Sequence, residues 1–408
     1  MDDSAQHPTS HWRAFFSYGF RPFFLFACLY AVFGMGAWLA WIGIHAMDGE
    51  ILNITIAMPP HIWHAHEMIY GYSMAVIAGF FLTAVPSWTS TRPVQGRALI
   101  ALFTLWLIGR IAIWISALLP TWLVVGLDLA FVPTLFSLIL FAVSKRWSKR
   151  NFIFLPILAL LFVGNALFHA EQLGWLEDTV QIGHRLALDS ILLLIVIIGG
   201  RVVPAFTTNA LRNSGQESDQ ISLPKSHTPI EVLAIGSMIA LMIANAIDLP
   251  ENWIGSIALF AAAIHGVRLA GWQSLKTLNR PIVWVLHLGY LWLIIGFTLI
   301  GISAFSDIIS EITALHALTV GGVGTVTVGV LTRAGLGHTG RTIVAGKRIT
   351  IAYSLISLAA IVRVAAPVYF VEYYNYLMLA SGFMWLGAFT LLAWTYYPIL
   401  TTPRPRQA

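Results

Sequence analysis

The sequence predicts an all-α fold: a polytopic membrane helix bundle of about twelve transmembrane helices with both termini cytoplasmic. Three observations carry this. The 408 residues are 58% apolar and 10% charged, less than half the ~25% charged content of soluble domains, with a mean hydropathy of +0.78. The apolar residues gather in twelve runs, each near the ~20 residues that cross a hydrocarbon core. The basic residues fall on alternate connections. The same figures exclude disordered, coiled-coil and collagen classes, and the period-two alternation of membrane barrel strands is not seen.

The elements follow in order. The first 18 residues are polar and read as carrying no cleavable signal peptide. Run one, 19–44, opens on Phe20-Arg21-Pro22-Phe23-Phe24 and holds Cys28, the one cysteine, which excludes an intrachain disulfide and any cysteine-based zinc or iron–sulfur site. Run two, 61–87, begins HIWHAHEM. Runs three, 97–118, and four, 121–144, meet near Leu119; at ~1.5 Å per residue this places Arg110 and Asp128 at one depth, as an expected ion pair. Pro133 marks a kink in run four. Run five, 152–172, ends in GNALFH. Run six, 179–206, carries His184, pairs Arg185 with Asp189 at i, i+4, is apolar all round at Ile191–Gly199, and ends in GGRVVPAFT. The polar connection 209–228 reads as a surface loop or as the divide between two six-helix halves of a single membrane domain (1–408), although no repeat between the halves is legible. Runs seven, 229–248, and eight, 252–270, precede run nine, 281–304. Run ten, 309–332, includes His316 followed by LTVGGVGTVTVG. Runs eleven, 348–366, and twelve, 372–398, complete the bundle. No matched pair of interrupted helices is legible.

With the N-terminus inside, all but Arg110, Arg185 and Arg363 of the 23 basic residues lie on inner connections or helix ends, as the positive-inside rule requires. The formal charge of +5 and pI near 9.4 therefore reflect topology, and no nucleic-acid partner is expected.

Ionisable groups at membrane depth need a partner or a task. Glu67 has no evident partner and is the candidate proton-carrying or ligand-orienting carboxylate. Histidines are the main signal: His61, His64, His66, His169, His184 and His316 in the outer half, His265 and His287 in the inner half, His338 in the loop after run ten. Buried imidazoles on several helices fit a metal centre, haem or copper, or else polar packing and proton relay. At about 100° per residue, His64 and His66 point nearly opposite ways, so they serve different neighbours unless the helix start is irregular. The glycines of run ten admit a flat macrocycle or close helix packing. Arginines at helix ends fit haem propionates, lipid phosphates or topology alone.

Taken together, FRPFF (20–24), WHAHEM (63–68), GFFLTAVPSW (79–88), GNALFH (164–169), GGRVVPAFT (199–207), VLHLGYLW (285–292) and ALHALTVGGVGTVTVGVLTRAGLGHTGR (314–341) resemble the NnrS family. That resemblance implies a bacterial inner (cytoplasmic) membrane protein carrying haem, expected to be b-type, and copper, acting in the response to nitric oxide. It marks His64, His66, His169, His287, His316 and His338 as motif histidines, with Glu67, Arg21, Arg201, Arg333 and Arg341 in the same motifs. His61 and His184 lie outside them; His265 is a further inner-side ligand candidate. An outer cluster of His64, His66, His169 and His316 is expected to hold metal. The partners implied are nitric oxide, the lipid bilayer, and quinol or an external electron donor. Three functions stay open: nitric oxide reduction to nitrous oxide, non-catalytic sequestration of nitric oxide or protection of iron pools, and secondary transport of a metal or nitrosyl complex.

Overall fold

The computed structural model describes residues 11–47, 49, 55–146, 148–212 and 222–405. Among these residues there is no strand, and twelve helices are long and apolar enough to cross a membrane. They are α1 (Phe20–Ala46), α2 (Pro60–Thr89), α3 (Arg97–Trp114), α4 (Thr121–Lys145), α5 (Phe154–Gln172), α6 (Thr179–Arg212), α7 (Thr228–Ala246), α8 (Glu251–Ala270), α9 (Pro281–Phe305), α10 (Glu311–His338), α11 (Lys347–Tyr369) and α12 (Val371–Thr401). The chain is a multi-pass membrane protein. Residues 213–221, in the connection where a six-plus-six divide is expected, lie outside the described residues.

The boundaries depart from the apolar runs in two places. Helix α6 continues through Pro204 to Arg212, and α10 continues to His338, so His338 is helical and not in a loop. Hydropathy ends a run where lipid contact ends, whereas backbone hydrogen bonding carries the helix on. Helix α4 is broken at Ala130, between Thr121–Leu129 and Phe131–Lys145. Pro133 lacks an N–H, and its ring crowds the Leu129 carbonyl, which accounts for the break. Helices α2 and α10 also widen to π turns at Glu67–Ser73 and Ala317–Gly324. No expectation of interrupted helices foresaw these turns, because π turns have no composition signal.

The chain forms two compact units. The first comprises Met1–Ala187, Leu331–Ile343 and Phe389–Ala408. Its core holds Phe23, Phe24, Phe81, Trp106 and Phe154, all buried, with edge-to-face contacts such as Phe23–Trp106 at 6.4 Å. Helix α1 lies close on α2 because a Cβ on Gly71 or Gly79 would strike Tyr30 or Phe24, the small-residue packing that replaces hydrophobic driving force between membrane helices.

The second unit comprises Leu188–Val330 and Val344–Ala388, around Trp272, Tyr290, Leu293, Phe297 and Tyr353. Here the glycines of α10 are occupied. A Cβ on Gly321, Gly322, Gly324 or Gly329 would meet Trp292, Leu293, Trp385 or Leu286 at 2.4–2.8 Å. Close helix packing therefore uses this face, and the macrocycle expected as its alternative does not fit on it.

Candidate metal centre

Four helices of the first unit deliver one buried polar cluster. On α2, Pro59 and Pro60 start a regular turn that ends at His66, and the wide turns begin at Glu67. The Ser73 hydroxyl donates to the Met68 carbonyl at 2.8 Å, five residues back. Such π turns are frequent at functional sites. On α3, Gly109 precedes Arg110; a Cβ there would come within 3.2–3.3 Å of the Leu127 carbonyl and the Asp128 Cα. The missing side chain thus lets α4 approach and bring Asp128 to Arg110, just before the break at Ala130. On α5, Asn165 and His169 stand one turn apart and share a face. Glu171 then accepts from the Thr179 and Val180 amides at 2.6 and 2.8 Å, capping α6 and holding its first turns beside the end of α5.

Arg110 donates to Glu67 Oε1 through Nη1 and to Asp128 Oδ1 through Nη2. Asp128 Oδ2 gathers Asn165 Nδ2 at 2.8 Å, His169 Nε2 at 2.7 Å and His66 Nε2 at 3.3 Å. His66 Nε2 also lies 3.1 Å from Asn165 Oδ1, and its Nδ1 lies 2.9 Å from Glu67 Oε1. His66, Glu67 and Asp128 are at most 1% exposed. The expected Arg110–Asp128 pair is present, and Glu67, which showed no partner in the sequence, shares the same guanidinium.

Proton accounting follows from donor chemistry. A carboxylate only accepts, so Asn165 must turn its NH₂ to Asp128 and its oxygen to His66. His66 Nε2 then carries a hydrogen toward that oxygen. Its other nitrogen faces Glu67 Oε1, and a contact between a lone pair and a carboxylate needs one further proton. Formal charge gives the same answer. One guanidinium faces two carboxylates, leaving one excess negative charge where exposure is near zero, and a buried uncompensated charge costs several kcal/mol. Either a proton or a cation must complete the site.

The donor set fits a cation. One ligand atom each from His66, Asp128 and His169 lie within 4.8 Å of one another. With an ion on His66 Nε2, the Nδ1–H would donate to Glu67, the carboxylate–histidine–metal arrangement that fixes the tautomer and raises ligand basicity. His184 stands beside this set, its ring 6.2 Å from that of His66.

The other candidates have different surroundings. His64, on the opposite side of α2 from His66, stacks on Trp38 at 4.6 Å, and His61 is exposed. His316 donates Nδ1–H to the Ile312 carbonyl at 2.7 Å. His338 is exposed, its ring 5.7 Å from Phe20. Arg21 is 4% exposed and donates through Nη1 to the Leu400 and Thr402 carbonyls at 2.9 and 2.7 Å, satisfying the end of α12. Arg341 donates to the Thr402 hydroxyl at 2.9 Å, and burial pulls its guanidinium below the ordinary arginine value. Arg201 and Arg333 are half-buried.

A second polar network lies in the second unit. Arg268 donates through Nε to Glu231 Oε1 at 3.0 Å and through Nη2 to Oε2. Its Nη1 donates to the Val196 carbonyl at 2.9 Å and the Tyr290 hydroxyl at 2.7 Å. His265 Nδ1 meets that hydroxyl at 2.6 Å. A Cβ on Gly200 would fall 1.8 Å from Arg268 Nη2, so the second glycine of GGRVVP makes room for the ion pair. Thr207 spends its proton on the Val203 carbonyl, so it accepts from His287 Nε2–H at 2.8 Å, and Ser274 donates to His287 Nδ1 at 2.9 Å. Both nitrogens of His287 are thereby engaged.

Sequence reasoning missed Asn165, treated Asp128 only as a counter-ion, and ranked His184 low. Asn165 had a legible signal, four residues before His169 on one helical face. A family model described as NnrS protein matches residues 14–404, nearly the whole chain. No match is found among curated proteins.

Proposed function

The chain belongs to the NnrS family, and from that premise we propose that it is a metalloprotein of the nitric oxide response whose ion sits at His66, Asp128 and His169. The observation that carries this is the His66 imidazole itself: a carboxylate 2.9 Å from one nitrogen, and a carboxylate that also receives His169 beside the other. Imidazole and carboxylate donors without thiolate suit copper and non-haem iron alike; the family resemblance implies copper, and that selects it here. When bound, copper would supply a redox-active Lewis acid for a small diatomic ligand.

The chain's own residues would do the rest. Glu67 orients His66 by accepting its Nδ1–H, which leaves Nε2 for the ion. Arg110 fixes both carboxylates and keeps Asp128 ionised. Phe168, buried against the His66 ring at 4.4 Å, excludes water, while apolar nitric oxide can arrive through lipid. Reducing two molecules of nitric oxide to nitrous oxide and water takes two electrons and two protons; quinol or an external donor would supply the electrons in the bacterial inner membrane. The packed glycine face of α10 does not fit the haem implied by the same resemblance.

Metal analysis with an absorption spectrum on one detergent-purified sample tests the reading. Stoichiometric copper, lost in His66→Ala and His169→Ala, is expected; a protein free of copper and iron after supplemented growth refutes it. Catalytic consumption of nitric oxide by the reduced protein would mark a reductase, and a single stoichiometric uptake a sequestering protein.

A further inference from the structure

Taken as three successive quartets of helices, α1–α4, α5–α8 and α9–α12, the chain repeats one spacing. The second helix of each quartet carries a histidine followed 23 residues later by a threonine: His66 and Thr89 on α2, His184 and Thr207 on α6, His316 and Thr339 at the end of α10. Each threonine hydroxyl donates to the carbonyl four residues earlier, Val85, Val203 and Gly335, at 2.8, 2.8 and 2.6 Å. Quartets one and three match further at a constant offset of 250 residues. The wide turns start one residue after His66 and after His316. Ser90 and Gly340 are both left-handed, with φ 52° and 69°. Gly96 and Gly346 both cap the following helix. Quartets one and two match at the start of their fourth helices, capped by Pro120 and Pro250 with ψ 134° and 140°.

Contacts repeat as well. Next to each threonine, the second helix meets the first helix of another quartet: Trp88 on Phe154 at 5.3 Å, Thr207 on His287 at 2.8 Å, His338 on Phe20 at 5.7 Å.

His184 is thus the counterpart of His66, and the fold brings the two to one place. Helices α5 and α6 touch through Gly164 and Gly183, where a Cβ on Gly183 would lie 2.4 Å from the Gly164 carbonyl. That approach stacks the His184 ring on Phe168 at 5.1 Å. His184 Nε2 is buried and has no hydrogen-bond partner among the described residues. A metal–imidazole bond of about 2.0 Å sets a ring centroid about 3.2 Å from the ion, so two rings on one ion lie up to about 6.4 Å apart. The His66–His169 and His66–His184 separations, 5.8 and 6.2 Å, both fall within that limit.

We propose that His184 is the third imidazole of the His66–Asp128–His169 site, completing a three-nitrogen, one-oxygen donor set for copper. This rests on the metal reading above and adds a ligand to it.

The test uses the full-length protein in detergent, loaded with Cu²⁺, with affinity measured by chelator competition and the nitrogen count by electron paramagnetic resonance. His184→Ala and the milder His184→Asn are each expected to weaken copper binding by about 100-fold and to remove one nitrogen from the spectrum. His61→Ala, at an exposed position on α2, is the control that keeps both. If the variants stay monodisperse and retain affinity and nitrogen count, the His184 assignment is overturned while the site stands. Absence of Cu²⁺ binding by the wild type would overturn the site itself. Should the alanine variant aggregate, the asparagine variant decides by the same two readouts.

Discussion

Arg110 and Arg268 each anchor a buried network that contains histidine, but they face different charges. Arg110 meets two carboxylates, Glu67 and Asp128, and the imidazoles around it point at carboxylate oxygen. Arg268 meets one carboxylate, Glu231, and its neighbouring His265 meets a tyrosine hydroxyl. The first network closes only with an added proton or cation. In the second the charges balance as they stand, although His265 Nε2 is buried without a hydrogen-bond partner among the described residues, and the nearby His287 is satisfied by Thr207 and Ser274. The same residue types at similar burial therefore leave an unbalanced charge in one unit, where the ion is proposed, and a balanced pair in the other. The difference lies in whether imidazole is answered by carboxylate or by hydroxyl.

The largest separation between the two should appear on removing the arginines. Arg110→Met strands two carboxylates at near-zero exposure and should cost about 3–5 kcal/mol. Arg268→Met strands one that is 25% exposed, and water can take up part of that charge, so a loss of about 1–3 kcal/mol is expected. Thermal unfolding of both variants in one detergent compares them, and equal losses would remove the charge argument. Next in size, Asp128→Asn, His66→Ala and His169→Ala should each weaken copper binding about 100-fold or more, whereas His265→Ala and His287→Ala should leave it within about twofold. Chelator competition reads this directly, and copper loss in the second pair would move the ion to the other network.

A smaller effect is expected at Glu67. Glu67→Gln keeps the side-chain volume and a hydrogen bond but removes the carboxylate behind His66, so copper affinity should fall about 10–100-fold with the protein still folded. An unchanged affinity would restrict Glu67 to pairing with Arg110. The smallest change belongs to the second network. Gly200→Ala pushes a methyl into the Arg268–Glu231 pair and should lower stability by about 1–3 kcal/mol without altering copper content.

Much of this was readable before any coordinates. The twelve spans and the depth match of Arg110 with Asp128 followed from run lengths. The opposed directions of His64 and His66 followed from helical periodicity, and the structure gives them Trp38 and Asp128 as separate neighbours. The partner of Glu67 was missed because depth was reckoned along regular helices, and nothing in the sequence announced that Arg110 would divide itself between two acids. The neighbours of His184 were not legible, because they come from α2 and α5, brought near by single glycines whose effect is invisible one helix at a time. The glycines of α10 were visible, but their use was not: only the packed Trp292 and Trp385 show that helices, and no flat ligand, fill that face.

By itself the sequence determined the class of fold, the number of spans and the positions of the ionisable groups along each of them, because lipid burial and helical periodicity act locally. The tertiary structure alone decided which histidines face carboxylate and which face hydroxyl. That choice depends on where Gly109, Gly164 and Gly183 let backbones meet and where α2 and α4 leave regular geometry. Contacts of this kind are set by the mutual fit of several helices, and no single helix encodes them.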